Sequence, residues 1–191
     1  MCIRDSLECV ADKPISYYAF EMLYWTGIRE GELLALIPAD FNFEKKTLRI
    51  NKSYQRLEGE DVITDPKTPK SNRTIVMPDF LAIEMEDFIK SIYGIKMNDR
   101  IFTISKSYLH HEMDRGAKLA RVKRIRIHGL RHSHISLLIN LGFSALAIGE
   151  RVGHESVDIT YHYAHLFPTV QTDMAAQLET EREALVNVRK E

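Results

Sequence analysis

The chain of 191 residues, 45% hydrophobic and 28% charged with nine Gly and six Pro, has the make-up of one globular domain with at most a short appendage. A disordered or collagen-like chain is excluded, and no run reaches the ~18 apolar residues that a membrane span needs, since Ile135 to Ile148 is broken by Asn140, Gly142 and Ser144. A net charge of −1 excludes a protein that holds nucleic acid by bulk basicity, and the only cysteines, Cys2 and Cys9, cannot staple a fold and point to a reducing cytoplasm.

In chain order, residues 1–13 have no secretory apolar core and read as a frayed start. Pro14 opens a helix whose apolar positions Ile15, Tyr18, Ala19, Met22 and Leu23 run to about Trp25, ended by Thr26-Gly27. A short helix is predicted from Arg29 to about Ile37, stopped by Pro38. Thr47 to Tyr54, Asp61 to Thr64 and Thr74 to Met77 read as strands of one small antiparallel sheet, with Glu58-Gly59 as the first turn. Pro78-Asp79 then open a helix with the stripe Leu81, Met85, Phe88 and Ile92, closed by Gly94. Ile101 to Ile104 is a short apolar stretch. Ser107 is expected to cap a helix through about Val122, followed by helices from His128 to Leu141 and from Ser144 to Val152. A last helix is expected from about Thr169. The fold class is therefore mostly α with a small antiparallel β-sheet: a domain over 14–168 and a helical tail over 169–191.

Charge is unevenly spread. Between Arg115 and Arg131 lie Lys118, Arg121, Lys123, Arg124 and Arg126 with no acid among them, and a second basic set runs from Lys45 to Arg73. The acids collect in Asp79 to Asp87 and in the tail. This asymmetry predicts a polyanion on one face, with Lys70, Arg73, Arg121, Lys123, Arg124 and Arg126 as DNA-contacting candidates.

Four separated places carry chemistry. In Thr26-Gly27-Ile28-Arg29-Glu30-Gly31-Glu32-Leu33, an arginine enters a helix and aims a planar fork outward, while Glu32 one turn on reaches back to it. Asp65 to Thr74 is a basic strand-connecting loop with Lys67 and Lys70. In His128-Gly129-Leu130-Arg131, a histidine and an arginine share one face of a first helical turn with its free amides, an arrangement that takes an anion. Finally, Gly153-His154 is followed nine residues later by Tyr163, then Ala164-His165. His128, His132 and His134 match no common ligand spacing, so no metal or cofactor is expected.

Together, the T-G-x-R-x-x-E-L segment, the loop lysine, the H-x-x-R helix start, the G-H pair and the following tyrosine resemble the tyrosine recombinase (phage integrase) family, over about Ile15 to Leu166. The resemblance implies that Arg29 and Arg131 are the two family arginines, Lys67 the hairpin lysine, His128 and His154 the two histidine positions and Tyr163 the nucleophile, with Glu32 in support. Tyr161 competes with Tyr163, and Lys70 with Lys67. It also implies a metal-independent strand transferase acting on double-stranded DNA, monomeric when free and tetrameric on paired sites, its tail docked on a neighbouring subunit. Family members usually carry an N-terminal helical domain, so the chain reads as the catalytic domain alone. The rival readings are a type IB topoisomerase-like strand cutter and a noncatalytic DNA-binding module.

Overall fold

The structure is a computed structural model, which describes residues 3–66, 68–154, 175 and 178–180. Seven helices and five strands are formed among the described residues: α1 (Ile3–Glu8), α2 (Pro14–Thr26), α3 (Glu30–Leu34), β1 (Phe41–Asn42), β2 (Thr47–Ile50), β3 (Ser53–Leu57), β4 (Glu60–Thr64), β5 (Arg73–Val76), α4 (Asp79–Ser91), α5 (Lys106–Leu119), α6 (Ile127–Asn140) and α7 (Ala145–Val152). The mostly helical class with small antiparallel sheets is as expected.

Helix α2 begins at Pro14, whose fixed φ suits a first turn, and stops where Gly27 turns left-handed at φ 68°, its amide returning to the Leu23 carbonyl. Phe20, Met22 and Leu23 carry its buried side into a core shared with Leu33, Leu48, Ile75, Leu81, Met85 and Phe102. A smaller core of Ile135, Ile139, Ile148 and Val152 fastens α7 to α6.

Several elements differ from the sequence reading, each for a local reason. The predicted strand from Thr47 to Tyr54 is two strands in different sheets: β1-β2-β5 form one, and β3-β4 form a separate hairpin. The break falls at Asn51-Lys52, where the Lys52 ammonium turns inward to the buried Asp40 carboxylate at 2.6 Å. Glu58 and Gly59 do form the β3-β4 turn, both with positive φ, as the twist of a tight hairpin requires. The helix expected from Arg29 to Ile37 closes at Leu34, and Pro38 opens a 3₁₀ turn instead. Ser105, not Ser107, caps α5, its hydroxyl accepting from the Tyr108 amide at 3.1 Å, and α5 ends at Leu119 rather than Val122. On α4 the buried position is Ile89, because Ile92 already lies past the helix end.

The expectation of a frayed start fails over residues 3–10. Leu7 and Val10 are 1% and 0% exposed, and α1 lies against α5 so closely that a Cβ on Gly116 would sit 2.5 Å from the Ser6 carbonyl oxygen. Most of the expected tail helix lies outside the described residues. No helix among them is long and apolar enough to cross a membrane.

Candidate active site

The site is built around the turn between α2 and α3. Arg29 is the N-cap of α3, with extended backbone (φ −77°, ψ 151°). Its amide donates to Glu32 Oε2 at 2.8 Å, so the third residue of the helix caps the first turn in the way a capping box does. Its guanidinium is divided: Nη1 donates to Glu32 Oε1 at 2.9 Å, and Nη2 to the Gly153 carbonyl at 3.0 Å.

Glu32 is buried, and a second arginine meets it. Arg73 of β5 grips the carboxylate with both terminal nitrogens, at 3.1 and 2.9 Å, and sends Nε to the Arg151 carbonyl at 2.9 Å. Burial alone would raise the Glu32 carboxyl. The hydrogen bonds and charge of Arg73, with the amide and charge of Arg29, outweigh it and hold the group below the ordinary carboxylate range. Arg73 is therefore no loose surface contact for DNA, as its place in a basic loop had suggested; its side chain is 7% exposed and braces Glu32.

Arg131 comes from α6. It is 3% exposed and donates from Nη1 to the Gly27 carbonyl at 2.7 Å, so the glycine that ends α2 holds one arginine while the next turn presents the other. His128, one helical turn earlier, packs edge-on against His132 with ring centres 4.7 Å apart. His154 follows the left-handed Gly153 that ends α7 and is 8% exposed. Burial, then the charges of Arg131, Arg29, Arg73 and His128, push its pKa down to about 4. Partial desolvation, then His132, Arg131 and Arg29, also lower His128. Both imidazoles are thus neutral near pH 7, each with one N–H to donate and one lone pair to accept a proton. The structure therefore brings Arg29, Arg131, His128 and His154 into one electrostatic neighbourhood. This arrangement offers planar and neutral donors to an anion with charge spread over several oxygens.

Lys70 is exposed and, with His154, Gly153 and Glu150, lines a cavity of about 310 Å³. Lys67, Tyr161 and Tyr163 lie outside the described residues. Of the other DNA-contacting candidates, Arg121, Lys123 and Arg126 are exposed, whereas Arg124 is engaged by Asp114. The basic run from Arg115 is also less free than its sequence suggests, because Arg115 is held by Asp12 and Glu112.

Sequence reasoning missed Arg151. Its guanidinium donates to His134, to the Val76 carbonyl and to the Trp25 carbonyl. The available signal was its place one turn after Ile148 and beside Val152, a cation on the apolar side of a short helix.

The fold and this cluster define a class, and comparison with known proteins states it directly. The chain matches the Phage integrase family over residues 5–169 and belongs to that family. It is 30% identical over 174 residues to the ICEBs1 integrase of Bacillus subtilis (strain 168), covering 84% of this chain and 47% of that protein. To the integrase of Staphylococcus phage L54a it is 31% identical over 179 residues, covering 84% and 51%. The chain thus spans about half the length of the curated relatives it matches. Among solved structures, the Tn1549 transposon integrase in complex with transposon right end DNA aligns with a TM-score of 0.73 at 21% identity, covering 95% of this chain and 63% of that one. The catalytic domain of bacteriophage HP1 integrase aligns with a TM-score of 0.63 at 18% identity, covering 91% and 89%. These likenesses place the fold among tyrosine recombinase catalytic domains.

Proposed function

We propose that this chain is the catalytic part of a site-specific DNA recombinase, an integrase of a mobile element, which cuts and rejoins double-stranded DNA through a covalent link to Tyr163. The observation that carries the reading is the convergence of Arg29, Arg131, His128 and His154 from three elements far apart in sequence. The family membership of the chain and the DNA in the Tn1549 integrase structure agree with it.

The chemistry follows from the groups. A phosphodiester under attack gathers negative charge on its nonbridging oxygens, and two guanidinium forks with neutral imidazole donors stabilise that charge without a metal. A free phenol with a pKa of ~10 is a poor nucleophile, and cations such as those gathered here favour the phenolate of a tyrosine brought among them, the part we assign to Tyr163. The phenol oxygen bonds to phosphorus while the bond to the 5′ oxygen breaks. His128 takes the phenol proton, and Lys67 gives a proton to the departing oxygen, with Lys70 the competing donor. The products are a 3′-phosphotyrosyl link and a free 5′ hydroxyl. Phosphate-ester energy is thereby kept, and rejoining needs no ATP.

On paired sites the active unit is a tetramer, and the free chain is a monomer. The α6–α7 corner supports this part of the reading: it exposes Leu141, Phe143 and Leu146 at 63%, 52% and 58%, an apolar surface suited to the tail of a neighbouring copy from about Thr169.

The test is covalent capture on a nicked DNA from which the cleaved end is lost. The unaltered chain forms a protein–DNA adduct in the presence of EDTA, and Tyr163→Phe abolishes it while leaving DNA binding unchanged. An adduct that survives Tyr163→Phe and disappears in Tyr161→Phe reassigns the nucleophile. Absence of any adduct with site-bearing DNA overturns the reading.

A further inference from the structure

We propose that Arg151 is a positioning residue of the site, its guanidinium holding the end of α7, and so Gly153 and His154, in register with Arg29. The proposal rests on the function given above.

A single planar group here joins four elements. From α7, Arg151 Nε donates to His134 Nε2 of α6 at 3.2 Å, Nη1 to the Val76 carbonyl at the end of β5 at 3.1 Å, and Nη2 to the Trp25 carbonyl in the last turn of α2 at 3.3 Å. Two of the acceptors are backbone oxygens, so the group fixes main-chain positions. The Trp25 carbonyl belongs to the set that a helix end leaves without intrahelical partners, where a cation is favoured.

The third acceptor is equally constrained. An arginine only donates, so His134 must present a lone pair at Nε2 and carry its proton on Nδ1. Burial, then the charge of Arg151, push the pKa of His134 down to about 3, and it therefore stays a neutral acceptor throughout the working range. Neutral and held at Nε2, His134 is a fixed seat for Arg151. The seat is close-fitting, because a Cβ on Gly27 would stand 2.5 Å from His134 Cδ2, and the Gly27 carbonyl is the one that receives Arg131.

The main chain of the same residue completes a ring. The Arg151 carbonyl accepts from Arg73, Arg73 grips Glu32, Glu32 holds Arg29, and Arg29 returns to the Gly153 carbonyl two residues beyond Arg151. Within this ring α7 is held by its backbone alone. The Arg151 side chain adds directed ties to α2 and, beside the apolar core that already fastens α7 to α6, to α6, the elements that lead into Arg29 and carry Arg131. A displaced α7 end moves together His154, which serves the nonbridging oxygens of the phosphate in the proposed reaction, and the Gly153 carbonyl, which aims Arg29 at them. Misplacement of about 1 Å costs on the order of 100-fold in rate.

The experiment compares the full chain with Arg151→Met, Arg151→Lys and His134→Gln. Two readouts are followed: amide hydrogen exchange at Gly153 and His154, and the rate of adduct formation on the nicked DNA. The second is repeated with a methylphosphonate at the cleaved position, which lacks the negative charge that His154 and Arg29 stabilise. In Arg151→Met, exchange at His154 rises tenfold or more while the α4 and α5 amides stay protected. Adduct formation on ordinary DNA falls on the order of 100-fold with binding unchanged. On the methylphosphonate the deficit shrinks to a few-fold, which general damage to the fold would not produce. His134→Gln keeps an acceptor and retains most of the rate. If Arg151→Met does not fold, Arg151→Lys, which reaches fewer of the three acceptors, carries the same comparison. An unmoved His154 amide, or an equal deficit on both DNAs, overturns the proposal. Failure of the unaltered chain to form an adduct overturns the function, and the exchange measurement then decides the positioning role alone.

Discussion

Glu32→Gln isolates the contribution of one carboxylate at almost constant volume. Glu32 is 5% exposed and Arg73 7%, and between them run two hydrogen bonds of 3.1 and 2.9 Å. Removing one partner of a buried ion pair costs about 3–5 kcal/mol, because the charge left behind has lost both water and counter-ion. The Gln oxygen still accepts one donor, but its amide group then faces a guanidinium with nothing to accept its protons. We therefore expect a loss near the lower end, about 3 kcal/mol, from a total that for a domain of this kind is about 5–15 kcal/mol. With a urea slope of about 2 kcal/mol/M, the midpoint falls by about 1.5 M. Urea titration followed by far-UV circular dichroism and by fluorescence of Trp25, the single tryptophan, measures this directly. The companion variant Glu32→Leu with Arg73→Met removes both charges and should lose less than the sum of its single changes. A loss below about 1 kcal/mol for Glu32→Gln with an unchanged slope, or strict additivity in the double variant, would refute the argument that these charges are desolvated and mutually dependent.

Gly27→Ala places a Cβ 2.5 Å from His134 on a left-handed backbone (φ 68°), so a loss of at least about 2 kcal/mol is expected in thermal or urea unfolding, and a neutral result would show that His134 yields without cost. Stability should also fall with acid. His134 and His154 have pKa values of about 3 and about 4, below the ordinary 6.5, so the unfolded chain binds protons first. Their contribution is complete above pH 6.5 and is lost as pH falls toward 4 and 3, at up to about 1.4 kcal/mol per pH unit for each; a flat urea midpoint between pH 7 and pH 5 would contradict it. Arg131→Lys keeps the charge but loses the fork, and adduct formation should slow by the equivalent of about 2–4 kcal/mol; a near-normal rate would show that charge alone suffices.

What the sequence made visible were features carried by local signals. Pro14 and Gly27 bound α2, Glu58-Gly59 turn the hairpin, Ser144 and Gly153 bound α7, and the spacing of His128 and Arg131 on one helical turn places both at the site. What it concealed depends on partners distant in the chain. Arg73 looked like one more surface cation of a basic loop, and only its meeting with Glu32, 41 residues earlier, buries it. The division of Thr47–Tyr54 into two strands likewise depends on Asp40 drawing Lys52 inward. Helix α1 is six residues long, too short to hold itself, and exists because Leu7 and Val10 find a core and Gly116 leaves room for its backbone.

The contacts that assemble the cluster share one property, the length of chain each closes. Arg29 reaches Gly153 across 124 positions, Arg131 reaches Gly27 across 104, and Arg73 reaches Arg151 across 78. Loops of that size are closed late, after local helices and hairpins have formed. A chain emerging from the ribosome therefore displays Arg29 and Arg73 without the Gly153 and Arg151 carbonyls that aim them until α7 has been made, whereas the Gly27 carbonyl already waits for Arg131. The geometry of the cluster is therefore complete only once α7 has joined the earlier elements, and a chain that stops short of α7 carries the charges of Arg29 and Arg73 without their arrangement.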